Sequence, residues 1–164
     1  MNERHDSLDA LILRRLQHDG RSTAEDIGAE IGLSGAAVSR RISRLRKAGI
    51  IAKEVAILNP KSVGLPLTFV VGVELERERR DVIDEFRARM RADEIVQQCY
   101  YVTGSFDFVI VLHARDMSDY EAFTSRTMFE NPNIRRFTTM VVMDRVKVGL
   151  TVPLLQWLSE ETPE

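Results

Sequence analysis

The sequence predicts an α+β protein: an N-terminal three-helix domain of winged helix-turn-helix type, followed by a ferredoxin-like β-α-β-β-α-β domain. Three observations carry this. Apolar residues recur at helical spacing through three segments of the first third. Beyond a turn-rich stretch, the period changes to strand-like alternation interrupted by two helical segments. The charge divides near the same place: residues 1–53 hold ten basic and seven acidic side chains, net +3, and residues 54–164 hold thirteen and eighteen, net −5. The expected organisation is a helix-turn-helix head over 1–58, a linker over 59–66, a body over 67–153 and a tail over 154–164.

Residues 6–19 read as the first helix, capped by Asp6, with Asp9 in the first turn where a carboxylate complements the helix dipole. Leu8, Ile12 and Leu16 form its apolar stripe, and Asp19-Gly20-Arg21 ends it. Thr23 with Asp26 three residues on has capping-box spacing. Ile27 and Ile31 follow on one face, and Gly32 stands where that helix stops. Ser34 caps a third helix whose Val38, Ile42 and Leu45 keep i, i+4, i+7 spacing. Helix, short turn, helix is helix-turn-helix spacing. After Ala48-Gly49, residues 50–58 read as an extended strand or arm, and Asn59 through Pro66 as the boundary.

In the body, Leu67 to Leu75 alternates as a strand, and Arg79–Ala92 is helical with Val82, Ile83, Phe86 and Met90 on one side. Ile95–Thr103 and Phe106–Ala114 are two more strands around the Gly104-Ser105 break. Ser118 is expected to cap a helix reaching about Glu130, with Tyr120, Phe123 and Thr127 facing in. Asn131-Pro132-Asn133 stops it, and Ile134–Val148 forms the last strand. This order places both helices on one face of an antiparallel sheet. The other face is apolar as well, and an uncovered apolar face calls for a partner; a second copy of the chain is expected there.

With 44% hydrophobic and 29% charged residues in 164, the composition is that of a globular protein. Cys99 is the only cysteine, which excludes an intrachain disulfide and suits a small core residue. His5, His18 and His113 are scattered, without metal-ligand spacing, and no G-x-S-x-G, Walker or Rossmann pattern occurs. Neither catalytic residues, a metal nor a cofactor is expected. No leader or run of eighteen apolar residues is present, so the expected location is cytoplasmic and no membrane partner is foreseen.

The third helix is asymmetric in charge. Val38, Ile42 and Leu45 point inward, while Ala36, Arg40, Ser43 and Lys47 point away, flanked by Ser39 and Arg44. Between Ile31 and Lys53 there are six basic residues and no acidic one. This is the pattern of a helix that enters the major groove of double-stranded DNA. Arg40, Ser39 and Ser43 are candidates for base edges, and Arg44, Arg46 and Lys47 for phosphates, with Ser34 at the helix start. Arg41 lies nearer the apolar face and is expected to tie the helix to its own domain, through Glu30 or Asp26.

These segments resemble the Lrp/AsnC family of transcription regulators. Asp6, Asp9, Ile12, Leu13, Leu16, Gln17, Asp19, Gly20 and Arg21 match that family's D-x-x-D-x-x-I-L-x-x-L-Q-x-D-G-R pattern. Gly32-Leu33-Ser34 matches its turn, and Arg41-Ile42, Leu45 and Gly49-Ile50-Ile51 follow in order. Thr103-Gly104-Ser105-Phe106-Asp107 matches T-G-x-F-D, and Thr139, Val141, Val142, Met143, Val146 and Lys147 match T-x-V-V-M-x-x-V-K. Departures are His5, where Leu is usual, and Gly35 after Ser34. The resemblance implies a C-terminal RAM domain, a homodimer that assembles further, often to an octamer, and an amino acid as effector. Sirohaem decarboxylases share the architecture, but in them a Phe-Pro pair follows the first helix where this chain has Asp19-Gly20-Arg21. A ligand sensor that no longer binds DNA is a further alternative, opposed by Arg40, Arg44 and Lys47.

Asp107 begins an otherwise apolar strand, where an unpaired carboxylate is costly. Taken alone, it could meet a ligand ammonium, an arginine such as Arg145, or backbone N–H groups of the Gly104 turn. The family pattern implies an effector pocket from Gly104, Ser105 and Asp107 with Thr139, Met140, Val141 and Val142. Of Tyr100 and Tyr101, one is expected in the core and the other, Tyr101, at the pocket edge.

Overall fold

A computed structural model describes residues 6–77 and 79–154. His5, and the tail over 154–164 apart from Leu154, lie outside the described residues. The described chain forms two compact units: residues 6–56 together with 148–154, and residues 57–147.

In the first unit, α1 (Ser7–His18), α2 (Ala24–Ile31) and α3 (Gly35–Lys47) each begin where a side chain accepts an otherwise orphan N–H. Asp6 accepts from Asp9 N at 2.9 Å, Thr23 and Asp26 complete a capping box, and Ser34 accepts from Ala37 N at 3.2 Å. Gly32 closes α2 in the left-handed conformation. Ile12, Ile27, Val38 and Ile42 form the core, with Leu16, Ile31, Leu33 and Ile51 against it. Residues 52–59, where the first unit gives way to the second, carry no regular secondary structure and leave Val55, Ile57 and Leu58 exposed.

In the second unit, β1 (Leu67–Leu75), α4 (Arg80–Ala92), β2 (Val96–Tyr101), β3 (Phe108–Ala114), α5 (Met117–Thr124) and β4 (Ile134–Val141) build a four-stranded sheet in the order β2-β3-β1-β4. Every adjacent pair is antiparallel. Phe69, Val71, Val73 and Leu75 of β1 and Phe108, Ile110 and Leu112 of β3 share one core with Phe86 and Met90 of α4 and Tyr120 and Phe123 of α5. That places both helices on one face. The opposite face carries Val70, Val109, Val111, Tyr100 and Met140, none of them fully buried.

The largest differences from the expected boundaries are at α5, β4 and β3. Helix α5 is capped by Asp116, which accepts from Asp119 N at 2.9 Å, so Ser118 lies inside the first turn. It continues as a π-helical turn over Ser125–Phe129. Strand β4 ends at Val141 and not Val148, because β1, its ladder partner, begins directly after Pro66; the final bond runs from Val142 N to Thr68 O at 2.9 Å. Strand β3 starts at Phe108, since Phe106 and Asp107 leave the pleat for other partners.

Candidate DNA-binding surface and effector region

Helix α3 buries Val38, Ile42 and Leu45, which turns its other side outward. Arg40, Ser43, Arg44, Lys47 and Ala48 line a shallow open concavity of about 560 Å³ on that side. Four of these five are residues that the helical spacing had set apart from the core. Among the described residues, Arg40 and Lys47 make no ion pair, so both charges are available to an anionic partner.

The other arginines of α3 are engaged. Arg41 Nη1 donates to Asp6 Oδ1 and Oδ2 at 2.8 and 2.9 Å and to Asp9 Oδ1 at 2.8 Å. Arg44 Nη2 donates to Asp9 Oδ2. Arg46 Nη2 sits 2.9 Å from both carboxylate oxygens of Glu54. Arg41 therefore ties α3 to its own domain, but through α1; Glu30 pairs with Arg15 at 3.3 Å and Asp26 serves the capping box. Asp9 is fully buried. A carboxylate at that depth is tolerated because two guanidiniums meet it.

Burial raises the Asp6 carboxyl, but the Asp9 N–H, the Arg41 hydrogen bond and the charges of Arg41 and Arg44 outweigh it and hold the group below the usual aspartate range. The hydrogen bond to Asp9, aided by Asp6, raises Arg41 above its ordinary value against burial. From helix position alone, Asp9 has only a dipole role. Its place at i of an i, i+3, i+4, i+7 stripe with Ile12, Leu13 and Leu16 was the available signal, since a carboxylate on an apolar stripe needs a partner.

In the second unit, Gly104 has φ +121°, a conformation open to glycine at little cost. The chain then doubles back, and Asp107 closes on β1: Oδ2 accepts from Leu75 N at 2.6 Å, and Asp107 N donates to Val73 O at 2.9 Å. Of the three partners open to Asp107, backbone N–H is the one it takes, on β1 and not within the Gly104 turn. Neither tyrosine enters the core: Tyr100 and Tyr101 are 50% and 44% exposed. Both belong to edge strand β2, which has a neighbouring strand on one side only. Tyr101 packs 5.1 Å from Phe108, with Arg87 stacked over its ring at 4.9 Å.

The strand residues of the expected pocket divide between faces. Thr139 pairs with core-facing Val71 and hydrogen-bonds Tyr120 Oη, whereas Met140 pairs with Val70 on the open face. Met140 and Val141 are 44% and 50% exposed. Asp107 meets β1 at Leu75, while Thr139 stands opposite Val71. Four residues along a strand is about 13 Å, so one chain brings the loop and the 139–142 segment to the same sheet without closing them around a common point.

Residues 6–46 match the AsnC-type helix-turn-helix domain, and residues 68–152 match the Lrp/AsnC ligand binding domain. The chain belongs to the Lrp/AsnC family of transcriptional regulators. An HTH-type transcriptional regulator of Sinorhizobium fredii is 46% identical over 149 residues, covering 91% of this chain and 88% of the relative. The leucine-responsive regulatory protein of Haemophilus influenzae is 35% identical over 146 residues, covering 89% and 88%. Among solved Lrp/AsnC-like structures, a transcriptional regulator of Neisseria meningitidis in complex with L-Met superposes with TM-score 0.86 at 28% identity, covering 92% of this chain and 97% of the other. An AsnC family regulator of Agrobacterium tumefaciens also reaches 0.86, at 27% identity with 92% and 98% covered. For this Lrp/AsnC member, transcription regulation through a DNA-binding head is thus the function of the family, and a ligand binding domain is its second part.

Proposed function

We propose that this protein binds specific DNA sites as a homodimer, or a higher assembly such as an octamer, and that an amino acid bound by the second domain modulates that binding. The observation that carries the DNA half is the concavity on α3, lined by Arg40, Ser43, Arg44 and Lys47. Two α3 helices enter successive major grooves. Arg40, Ser39 and Ser43 meet base edges, and Lys47, with Arg44 and Arg46, meets phosphates; Ser34 keeps the N-terminus of α3 at the groove.

For the effector, support comes from the division of the 104–107 loop and the 139–142 strand over one sheet, which leaves room for a second chain to complete a pocket between them. Tyr101, Gly104, Ser105 and Asp107 on one side and Thr139, Met140, Val141 and Val142 on the other are its candidate lining. The free carboxylate oxygen of Asp107 is the candidate partner of the α-amino group. The relatives named leucine-responsive and the neighbour holding L-Met favour an amino acid over other metabolites. The open sheet face is the dimer surface in this reading, since burying Val70, Val109, Val111, Tyr100 and Met140 removes them from water. A sirohaem decarboxylase of the same architecture is disfavoured, because the cations on α3 would have no task in it.

The deciding experiment is a gel shift on the gene's own upstream DNA at one stated salt concentration, with and without pooled amino acids, because affinity without a salt value is uninterpretable. A specific shift that changes with one pool is the expected result. No binding at low salt would overturn the DNA assignment, and binding indifferent to every pool would overturn the effector assignment.

A further inference from the structure

Gln17, in the last turn of α1, belongs to the sequence pattern of the head but lies neither on the α3 surface nor in the core. Its carboxamide meets the backbone of Val152 on both polar groups: Nε2 donates to Val152 O at 3.2 Å, and Val152 N donates to Oε1 at 2.7 Å. A carboxamide has the donor and acceptor of a peptide group, so this pairing reads backbone and is indifferent to the side chain at 152. Pro153 restrains Val152 to extended conformations, which keeps its N–H and C=O turned outward for such a pairing. Apolar burial does not hold the segment, since Val148, Leu150 and Val152 are 55%, 73% and 61% exposed.

Residues 148–154 group with the head, although they follow the sheet unit in sequence. The chain therefore crosses between the units twice, after Ala56 and after Lys147.

We propose that Gln17 is a latch: by holding Val152 it turns the C-terminal crossing into a second, releasable tether that restricts how the DNA-binding head reorients relative to the effector unit. With one connection a head samples many orientations; a second, closed connection removes most of them. Two partly exposed hydrogen bonds are a weak closure, so the latch opens at modest cost, as a switch requires. The end of β4 at Val141 and the latched Val152 are joined by residues 142–151, which carry no helix or strand. The regulatory part rests on the effector reading above; the tether itself does not.

The test uses the full chain with Cys99→Ala, spin-labelled at Arg14→Cys on α1 and Ala88→Cys on α4, and diluted into unlabelled chain so that distances are within one copy. Electron–electron double resonance on the otherwise unaltered protein is expected to give a narrower distance distribution than on a chain whose latch is removed. Gln17→Ala is expected to broaden it, and to speed hydrogen exchange of the Val152 amide about tenfold. Val152→Pro deletes the donor from the other side without touching α1, and is expected to give the same broadening. A single DNA half-site is expected to bind both variants as it binds the wild type. Unchanged distributions in both variants, or an unprotected Val152 amide in the wild-type chain, would overturn the latch. Absence of DNA binding by the wild type would sink the functional reading alone, because distances and exchange still decide the tether.

Discussion

The ring of Phe106 occupies the space in which a side chain at Gly72 would stand: a Cβ there would lie 2.7 Å from the ring carbons. Gly104 supplies the turn, Phe106 folds onto the vacant spot on β1, and Asp107 fastens the end of β1 through Leu75 N. The Thr103–Asp107 motif is thus a clasp between the β2–β3 loop and the central strand. Gly72→Ala is expected to lower stability by about 1–3 kcal/mol through overpacking. In a thermal-melt cycle, adding Phe106→Ala should cost less than the two single changes summed; strict additivity would mean the ring is free to move aside.

Asp9 holds two arginines of the recognition helix from inside the head. Asp9→Ala removes the buried acceptor of both guanidiniums, but Arg41 keeps Asp6 and Arg44 is partly exposed, so the expected cost is about 1–3 kcal/mol. Arg41→Ala should lower the melting temperature more than Arg40→Ala, whose side chain makes no ion pair among the described residues. Equal melting temperatures for the two arginine variants would contradict this division of labour.

The same division has a signature in DNA binding. Lys47→Ala should weaken binding to all sequences alike and reduce the slope of log affinity against log salt by about 1. Arg40→Ala should cost about 1–3 kcal/mol on the specific site and relax base preference. Arg46→Ala should do less than Lys47→Ala, because Glu54 already neutralises Arg46. Anisotropy titrations at three salt concentrations distinguish these outcomes.

His113 pairs with Thr68 across the sheet, Nδ1 to Oγ1 at 3.0 Å, while its buried Nε2 has no hydrogen-bond partner. Burial first, and then the Arg145 charge, push its pKa below the ordinary histidine value against a smaller upward pull from Leu67. The unfolded chain takes up this proton at about pH 6.5 and the folded chain resists it. Stability from this group is therefore full above that pH and falls as the pH drops below it toward the folded pKa. Urea unfolding of the effector unit should show a lower midpoint at pH 5.5 than at pH 7.5, with the difference reduced in His113→Gln. An unreduced difference in that variant would assign the loss to other groups.

Much of the fold was legible because its signals are local. The Thr23–Asp26 box, the Ser34 cap and the spacing of Val38, Ile42 and Leu45 act within one or two turns of helix, so neighbours in sequence suffice. The alternation of β1 likewise reveals its core face before any partner strand is known. The outward side of α3 followed from the same periodicity, which is why most of the lining of its concavity could be named in advance.

Sequence by itself thus determined the fold class, the order of α1 to β4, the family and the cationic helix. Tertiary structure decided who meets whom. It chose Asp6 and Asp9 over Glu30 and Asp26 for Arg41, folded Phe106 onto Gly72, gave Asp107 to Leu75, divided Thr139 from Met140 and brought Val152 to Gln17. Dihedral preference and apolar period are properties of a short segment. A hydrogen bond spanning thirty to more than a hundred residues depends on how the whole chain closes, and no segment carries that information alone.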